Sequence, residues 1–320
     1  TSGWYDTSWG YRRKITFDNS AQAENLTNFP VLVKLDSTRV DYANTQNNGE
    51  DIRFTDSDGS TLLSYEIEKW DETANSYVWV KVPQIDASSN TDYIYMYYGN
   101  SGVADAQNKT DVWSNGFVGV WHLGETGSGA AGEFLDSTTT GANGQGGAGD
   151  SSKTPTVTTS GQIGNAESFD GSDFIDAGSS SAFKFTTGPY HVSAWVNYTS
   201  VPQNRVVVAT DNVSNGWNMI VVQSTAQSRF VGRGTSITFT DSNTAISAST
   251  WTKIATNYSG TNGNVQHFIN NTLDKTTPYT GSIISATCNL AIGQRYGSGC
   301  VGTLNFLGAI DELRISNVLH

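Results

Sequence analysis

GQIGNAESFDGSDFIDAG, the stretch from Gly161 to Gly178, has a distant counterpart in GAIDELRIS, from Gly308 to Ser316. In both stretches apolar residues alternate with small or polar residues, and aspartates lie beside them. Such alternation is typical of a half-buried β-strand, and the Asp-Gly pair at Asp170 is a turn signal. We therefore expect each stretch to form a strand that ends at a tight, carboxylate-lined turn.

The rest of the chain shows the same kind of pattern. Short apolar runs recur between turn residues, and no segment has a convincing helical period of about 3.6 residues. Asn270-Asn271 is expected to form a two-residue hairpin turn, since Asn tolerates positive φ. Many short strands with regularly spaced turns are typical of sandwiches. The sequence predicts an all-β chain with two β-sandwich, jelly-roll-like domains, residues 1–113 and 114–320, and Phe117–Trp121 as the first strand of the second domain.

The net charge argues against nucleic acid as a partner, and the hydropathy argues against insertion into a membrane. The 320 residues include 18 Lys plus Arg against 30 Asp plus Glu, a formal net charge of −12, which repels nucleic-acid phosphates. No run of about 18 apolar residues occurs, so membrane insertion is not expected. Charged residues make up only 15% of a chain rich in Ser, Thr, Asn and Gly, a composition typical of secreted or cell-surface β-proteins.

The two cysteines, Cys288 and Cys300, flank a segment that reads as a strand and a turn. The ends of such a segment can meet across a hairpin, so a disulfide between them is expected. It would contribute about 3 kcal/mol by restricting the unfolded chain. Two buried free thiols are the alternative.

Two strands of the first domain divide their side chains by type. In Tyr77–Val82, the valines Val78, Val80 and Val82 point one way and the other three residues the opposite way. In Tyr93–Tyr98, Ile94 and Met96 point one way, while Tyr93, Tyr95 and Tyr97 line the opposite face. One interpretation is a flat aromatic platform on which sugar rings stack. The other is that the tyrosines are covered by the second domain or by loops, since large exposed apolar patches are uncommon on monomers.

Landmarks of the first domain resemble the domain of unknown function 2341. They are WGYRRKITF, FPVLVKL, EDIRFTDSDGSTLLSYEIEKW, VWVKVPQI and YIYMYYGN, and they span nearly all of residues 1–113. In bacterial and archaeal surface proteins that module commonly precedes a laminin-G-like domain. Because the family has no defined function, the resemblance implies architecture and context only.

The second domain resembles the laminin-G-like, concanavalin A-type lectin/glucanase domain. The resemblance rests on the two opening stretches and on four motifs between them: VSAWV (Val192–Val196), GWNMIVV (Gly216–Val222), WTKIATNYSG (Trp251–Gly260) and HFINNTLD (His267–Asp274). It implies a concanavalin A-like sandwich with Trp195 and Trp251 in its core. This fold hosts lectins, adhesins, structural modules and glycosidases alike, so it does not decide the function.

The same resemblance implies a calcium site at the sandwich edge. The matching positions are Asp170 in FDGS and Asp311 in AIDE, with Asp136 in LDST as a weaker third. Carboxylates from separate segments are hard oxygen ligands of the kind that Ca²⁺ requires. The alternative is that Asp170 belongs to a plain turn and that Asp311 caps backbone amides.

Residues that flank Gly-rich turns could bind a ligand. Trp217, Arg233, Arg295 and Tyr296 combine rings that can stack on a sugar with donors for its hydroxyls. For Trp217 the alternative is a core position, because alternating apolar residues follow it.

One carboxylate pair suits glycoside hydrolysis. Glu66 and Glu68 would lie about 7 Å apart on one strand face, within the range that glycosidases use. An ion-paired or solvated acidic face is the alternative.

These patterns favour a secreted or surface-displayed, non-catalytic module of an adhesin-like protein. Its partner would be a polysaccharide, a glycoconjugate or another extracellular protein. A structural stalk or filament subunit that self-assembles through strand edges is the first alternative, and a glycoside hydrolase is the second.

Overall fold

The computed structural model describes residues 4–200 and 203–320. The chain divides into two compact units, Thr1–Asn115 and Gly116–His320. Both units consist of antiparallel β-sheets, and the all-β prediction is confirmed. No helix within the described ranges is long and apolar enough to cross a membrane. The helical segments are single turns, at Tyr42–Asn44, Lys109–Val112 (α1), Gly147–Gly149, Ser151–Lys153, Ser181–Phe183 and Ser298–Cys300.

The first unit is a sandwich of two sheets. Its strands are β1 (Tyr11–Thr16), β2 (Leu26–Leu35), β3 (Arg53–Thr55), β4 (Leu62–Leu63), β5 (Tyr65–Lys69), β6 (Ser76–Ile85) and β7 (Tyr93–Tyr98). One sheet has the order β1-β7-β3-β4 and the other the order β2-β6-β5. Alternation decides which face is buried: Val78, Val80 and Val82 of β6 meet Ile94 and Met96 of β7 in the core, as predicted.

The second unit is a larger sandwich. Its strands are β8 (Phe117–Trp121), β9 (Gln145–Gly146), β10 (Thr156–Thr158), β11 (Ala166–Asp170), β12 (Ile175–Asp176), β13 (Tyr190–Tyr198), β14 (Arg205–Ala209), β15 (Gly216–Val221), β16 (Gln227–Arg233), β17 (Ile237–Ala245), β18 (Thr252–Tyr258), β19 (Asn264–Ile269), β20 (Thr272–Pro278), β21 (Ala291–Ile292), β22 (Arg295–Tyr296), β23 (Gly302–Thr303) and β24 (Leu307–Ser316). One sheet runs β10-β11-β24-β13-β18-β19-β20, and β8 also pairs with β24. The facing sheet runs β17-β16-β15-β14-β21-β12-β9, and β22 pairs with β23.

The two stretches that suggested the fold are neighbours in one sheet. β11 pairs antiparallel with β24, and Glu167 lies opposite Ile310 while Asp170 lies opposite Leu307. Further along, β24 pairs with β8 on the same side and with β13 on the other. β24 is therefore the central strand of the larger sheet.

Local turn chemistry closes the hairpin between β19 and β20. Asn270 and Asn271 have φ values of 49° and 65°. Asn tolerates this left-handed region better than most residues, and two such residues in a row match the twist of a two-residue hairpin. The hairpin predicted at Asn270-Asn271 is confirmed.

The core of the second unit lies between its two sheets, but two tryptophans expected there are only partly buried. In β13, Val192, Ala194 and Val196 point into the core. Trp195 alternates with them and faces outward, and Trp251 precedes β18 and donates its indole N–H to the carbonyl of Ser160 at 3.0 Å. The prediction that both rings are buried is wrong, because strand alternation places Trp195 on the opposite face.

Cys288 and Cys300 form a disulfide, as predicted, with an S–S distance of 1.95 Å. Cys288 is buried with Ala291 and Tyr296 in a small cluster. We expect the double substitution Cys288→Ser, Cys300→Ser to lower the free energy of unfolding by about 3 kcal/mol, because it releases a loop closed over a sequence separation of 12. Urea denaturation measures the change, and the native chain under reducing conditions should reproduce it. Identical unfolding curves for variant and native chain would contradict the expectation.

Candidate ligand-binding face on the second unit

The outer face of the smaller sheet in the second unit holds an unusual mixture of side chains. Along β14, β15 and β16, Val207, Trp217, Met219 and Phe230 face the core. Their neighbours Val206, Ile220 and Val231 point outward and form a separate buried cluster, against which Leu304 packs. The shallow depression above this cluster has a volume of about 90 Å³. Its other lining residues are Asn204, Asn218, Arg229, Arg233, Ile237, Phe239 and Arg295.

Asp211 organises the polar part of this face. Its side chain is fully buried, and Arg233 donates Nε–H to its Oδ2. Asn218 donates to the same oxygen at 2.5 Å, and Nε of Arg295 lies 3.3 Å from Oδ1. Burial raises the pKa of Asp211, and the guanidinium groups of Arg233 and Arg295 oppose that rise. One buried carboxylate thus holds two arginines and an amide in fixed positions.

The apolar part of the face comes from β17. Ile237, Phe239 and Asp241 alternate with inward-facing residues and share the outer side of the strand. Ile237 and Phe239 are each 56% exposed. Arg229 lies with its guanidinium carbon 4.3 Å from the Phe239 ring centroid and donates two hydrogen bonds to Asp241, at 2.5 and 2.8 Å. An exposed ring is therefore fixed beside a donor group that cannot rotate freely.

The four ligand-binding residues predicted around the Gly-rich turns do not lie together. Arg233 and Arg295 meet at Asp211, as described above. Trp217 is fully buried in the core and donates its indole N–H to the carbonyl of Phe183 at 2.8 Å, so its core alternative is the correct one. Tyr296 is also buried, and burial raises the pKa of its hydroxyl. Strand alternation points Trp217 away from the face on which the arginines lie.

The tyrosine row of the first unit exists but is largely covered. Tyr97 is fully buried, and Tyr93 and Tyr95 are partly buried. The guanidinium carbon of Arg12 lies 4.2 Å from the Tyr95 ring centroid, and Nζ of Lys14 lies 3.7 Å from that of Tyr93. Trp4 and Tyr5, in the loop before β1, place their ring centroids 5.5 and 6.0 Å from that of Tyr97. Within this unit a loop therefore covers part of the row, as one interpretation of the sequence held, and basic side chains of the paired strand β1 cover the rest.

The structure does not bring the predicted calcium ligands together. Asp170 lies opposite Leu307, and Asp311 is four residues further along β24, which corresponds to about 13 Å. Asp170 Oδ1 accepts hydrogen bonds from Ser172, and Asp311 Oδ2 accepts from the backbone N–H groups of Gln162 and Ile163 at 2.8 and 2.9 Å.

Asp136 is likewise engaged locally, by the backbone N–H groups of Val120, Thr138 and Ala142. Turns and backbone capping account for most of these carboxylate oxygens, as in the alternative interpretation of the sequence. The arrangement does not fit one ion shared by Asp170 and Asp311, and calcium binding stays a prediction.

Glu66 and Glu68 each accept a hydrogen bond from a tryptophan. The indole N–H of Trp113 donates to Glu66 at 2.6 Å, and that of Trp79 donates to Glu68 at 2.7 Å. The two indole rings pack with their centroids 5.2 Å apart. These contacts give both carboxylates a role in packing the first unit.

One buried carboxylate was not anticipated from the sequence. Glu167 of β11 is fully buried, and neither of its oxygens has a hydrogen-bond partner among the described residues. Burial raises its pKa to about 9, and the charges of Glu125, Glu133 and Asp173 add to the rise. Strand alternation in the sequence could have indicated this burial, because Glu167 shares a strand face with the core residue Phe169.

Two families match the chain, in the predicted order. Residues 48–139 match the Domain of unknown function (DUF2341), and residues 169–319 match the Concanavalin A-like lectin/glucanases superfamily. Both resemblances are thereby confirmed. The first match extends past Asn115, the last residue of the first unit.

Three solved structures are distantly similar to parts of the chain. Domain 4 of AbnA, a GH43 extracellular arabinanase from Geobacillus stearothermophilus solved with arabinotriose, is 18% identical over 62% of this chain and 91% of that one, with a TM-score of 0.49. The Ruminococcus gnavus sialidase CBM40 bound to α2,3-sialyllactose is 16% identical over 42% and 79%, with a TM-score of 0.37. A SAP-like pentraxin from Limulus polyphemus is 14% identical over 43% and 69%, with a TM-score of 0.34. Likenesses this distant carry no argument about function.

No curated protein matches the chain. The two family matches cover separate segments of the chain. The chain therefore carries a DUF2341 segment followed by a segment of the concanavalin A-like lectin/glucanase superfamily.

Proposed function

We propose that the second unit is a carbohydrate-binding module and that glycans bind on the outer face of β14–β17. What supports this most is the exposed ring of Phe239 beside arginines that are held by buried or partly buried carboxylates. A pyranose presents an apolar C–H face and a rim of hydroxyls. A flat ring with fixed donors next to it complements both features.

The shape of the face favours long glycans over small enclosed ligands. Its depression of about 90 Å³ is well below the volume of about 300–1,000 Å³ that is usual for small-molecule pockets. A shallow surface can instead accommodate a few sugar units of a chain that continues on either side. The partner is accordingly a polysaccharide or a glycoconjugate.

We also propose that the chain is a non-catalytic segment of a secreted or surface-displayed, adhesin-like protein. The disulfide supports an oxidising compartment, where such bonds persist. The tryptophan contacts of Glu66 and Glu68 support a packing role for the one carboxylate pair that suited hydrolysis. A reducing-sugar assay on the polysaccharides that the chain binds tests this part, and release of sugars would contradict it.

Phe239→Ala is expected to weaken polysaccharide binding about tenfold, because the stacking surface is lost. Affinity electrophoresis or a glycan array of the full chain measures the change. Phe29→Ala is the matched control, since Phe29 is also an exposed phenylalanine but lies in the first unit. Equal binding by native chain and Phe239→Ala, or the absence of binding to any polysaccharide, would contradict the proposed site.

The same measurement with EDTA separates this site from a calcium-dependent one. Asp211 and Asp241, the carboxylates of the outer face, are both paired with arginines. We therefore expect EDTA to leave binding unchanged. Loss of binding in EDTA, restored by Ca²⁺, would show instead that an ion holds the glycan or the loops around it.

A further inference from the structure

The first unit is open along one side. β1 is the last strand of one sheet and β2 is the last strand of the other. Among the residues that the structure describes, each therefore leaves one row of backbone N–H and C=O groups without a partner in its sheet. Exposed strand edges of this kind can pair with an additional strand.

A groove of about 550 Å³ lies between these two strands. Its apolar lining comes from both sheets and includes core residues at the bottom, such as Met96. Its volume falls in the range that is usual for ligand pockets. The apolar residues that line it are Ile15, Phe17, Val31, Leu32, Val33, Leu35 and Met96.

The mouth of the groove is basic. Arg13, Lys14, Lys34 and Arg39 line it, and all four are exposed. Only Arg39 among them has a carboxylate partner within the described residues, Asp36 at 3.2 Å. Four cations at one groove are a strong local excess in a chain with a net charge of −12.

We propose that this groove binds an extended, acidic peptide segment of a partner protein, which adds to β1 as a further strand. Apolar side chains on one face of the segment would enter the groove beside Ile15. Acidic side chains on its other face would lie next to Arg12 and Lys14, which share the outer side of β1. Alternating apolar and acidic residues are therefore the pattern that the groove recognises.

The occupant is a partner and not a second copy of this strand. Arg12, Arg13 and Lys14 are consecutive, so pairing of two β1 edges would bring like charges together. β1 is also the better edge for strand addition, since β2 contains Pro30, which has no N–H to donate.

Fluorescence anisotropy with two labelled octapeptides, (Glu-Val)4 and (Lys-Val)4, tests the proposal on the full chain. We expect the acidic peptide to bind and the basic one not to. The substitution Arg12→Glu with Lys14→Glu should weaken binding of (Glu-Val)4 by about tenfold or more and allow (Lys-Val)4 to bind. Lys184→Glu with Lys275→Glu is the matched control, because it makes the same change in net charge in the second unit.

Hydrogen exchange locates the bound peptide. Strand addition should slow exchange of amides in β1 when (Glu-Val)4 is present, and a bound peptide that leaves β1 exchange unchanged would overturn the proposed mode. Equal affinity for the two peptides, or an equal effect of the control variant, would show attraction to charge alone. If neither peptide binds, the basic residues only guard the strand edge against aggregation, and the proposal fails.

Discussion

Replacement of Asp211 by alanine is expected to lower the free energy of unfolding by about 3–5 kcal/mol, the largest loss that we expect from a single substitution in this chain. The carboxylate is fully buried, and the side chains of Arg233 and Arg295 are only 11% and 16% exposed. Without Asp211 both guanidinium groups would keep their charge in a poorly hydrated site with no counter-ion. Removing one partner of such a cluster destabilises the protein by more than the whole cluster stabilises it, because the remaining charges stay buried without a partner.

Urea denaturation of the full chain measures this effect, and Asp241→Ala is its control. Asp241 also pairs with an arginine, Arg229, but both of these side chains are more exposed, at 22% and 21%. Water can therefore hydrate Arg229 when its partner is removed, and we expect a loss of about 1 kcal/mol or less. Similar losses for the two variants would contradict the role assigned to burial.

Because Asp211 also holds Arg233 on the proposed glycan face, the Asp211→Ala variant should lose polysaccharide binding as well.

Glu167→Gln is expected to remove a large part of the pH dependence of stability near neutral pH. Burial raises the pKa of Glu167 in the folded protein to about 9, above its ordinary value of 4.5. Below about pH 4.5 the carboxyl is neutral in both the folded and the unfolded protein, and its full contribution to stability is present. As the pH rises from there towards about 9, only the unfolded protein releases the proton, and this stability is lost. Over this window Glu167 lowers the free energy of unfolding by about 1.4 kcal/mol per pH unit.

The variant should show a shallower decline than the native chain between about pH 6 and about pH 8, measured by urea denaturation at several pH values. The difference between the two curves isolates Glu167 from Asp173 and Asp311, whose pKa values burial also raises, to about 6 and about 8. Glu50→Gln serves as the control, because hydrogen bonds from Asn48 lower the pKa of Glu50 and it carries its charge throughout this range. Parallel curves for the native chain and Glu167→Gln would contradict the expectation.

Local patterns predicted much of the fold from the sequence. Alternation assigned Val78 and Ile94 to core faces correctly, and the tolerance of Asn for positive φ placed the turn at Asn270-Asn271. The cysteine spacing predicted the disulfide between Cys288 and Cys300. Each of these features depends on residues close together in the chain, and short-range geometry determines them.

Features that depend on register or on distant residues were not predictable in the same way. Asp170 and Asp311 were expected to converge, but the register of β11 on β24 separates them. The network around Asp211 joins residues from β15, β16 and β22, and only the folded sheet brings these together. Phe239 has no sequence feature that marks it as exposed, because whether an alternating strand is covered depends on what packs over it.

Synthesis of the chain proceeds from the first unit to the second, and the position of β24 decides when the second can fold. Among the described residues, the sheets of the first unit use no strand beyond Tyr98, so that unit can fold while translation continues. The larger sheet of the second unit lacks its central strand until Leu307–Ser316 has left the ribosome. Until then β8, β11 and β13 expose edges that β24 later covers, so nascent chains stalled before residue 307 should need chaperones to stay soluble.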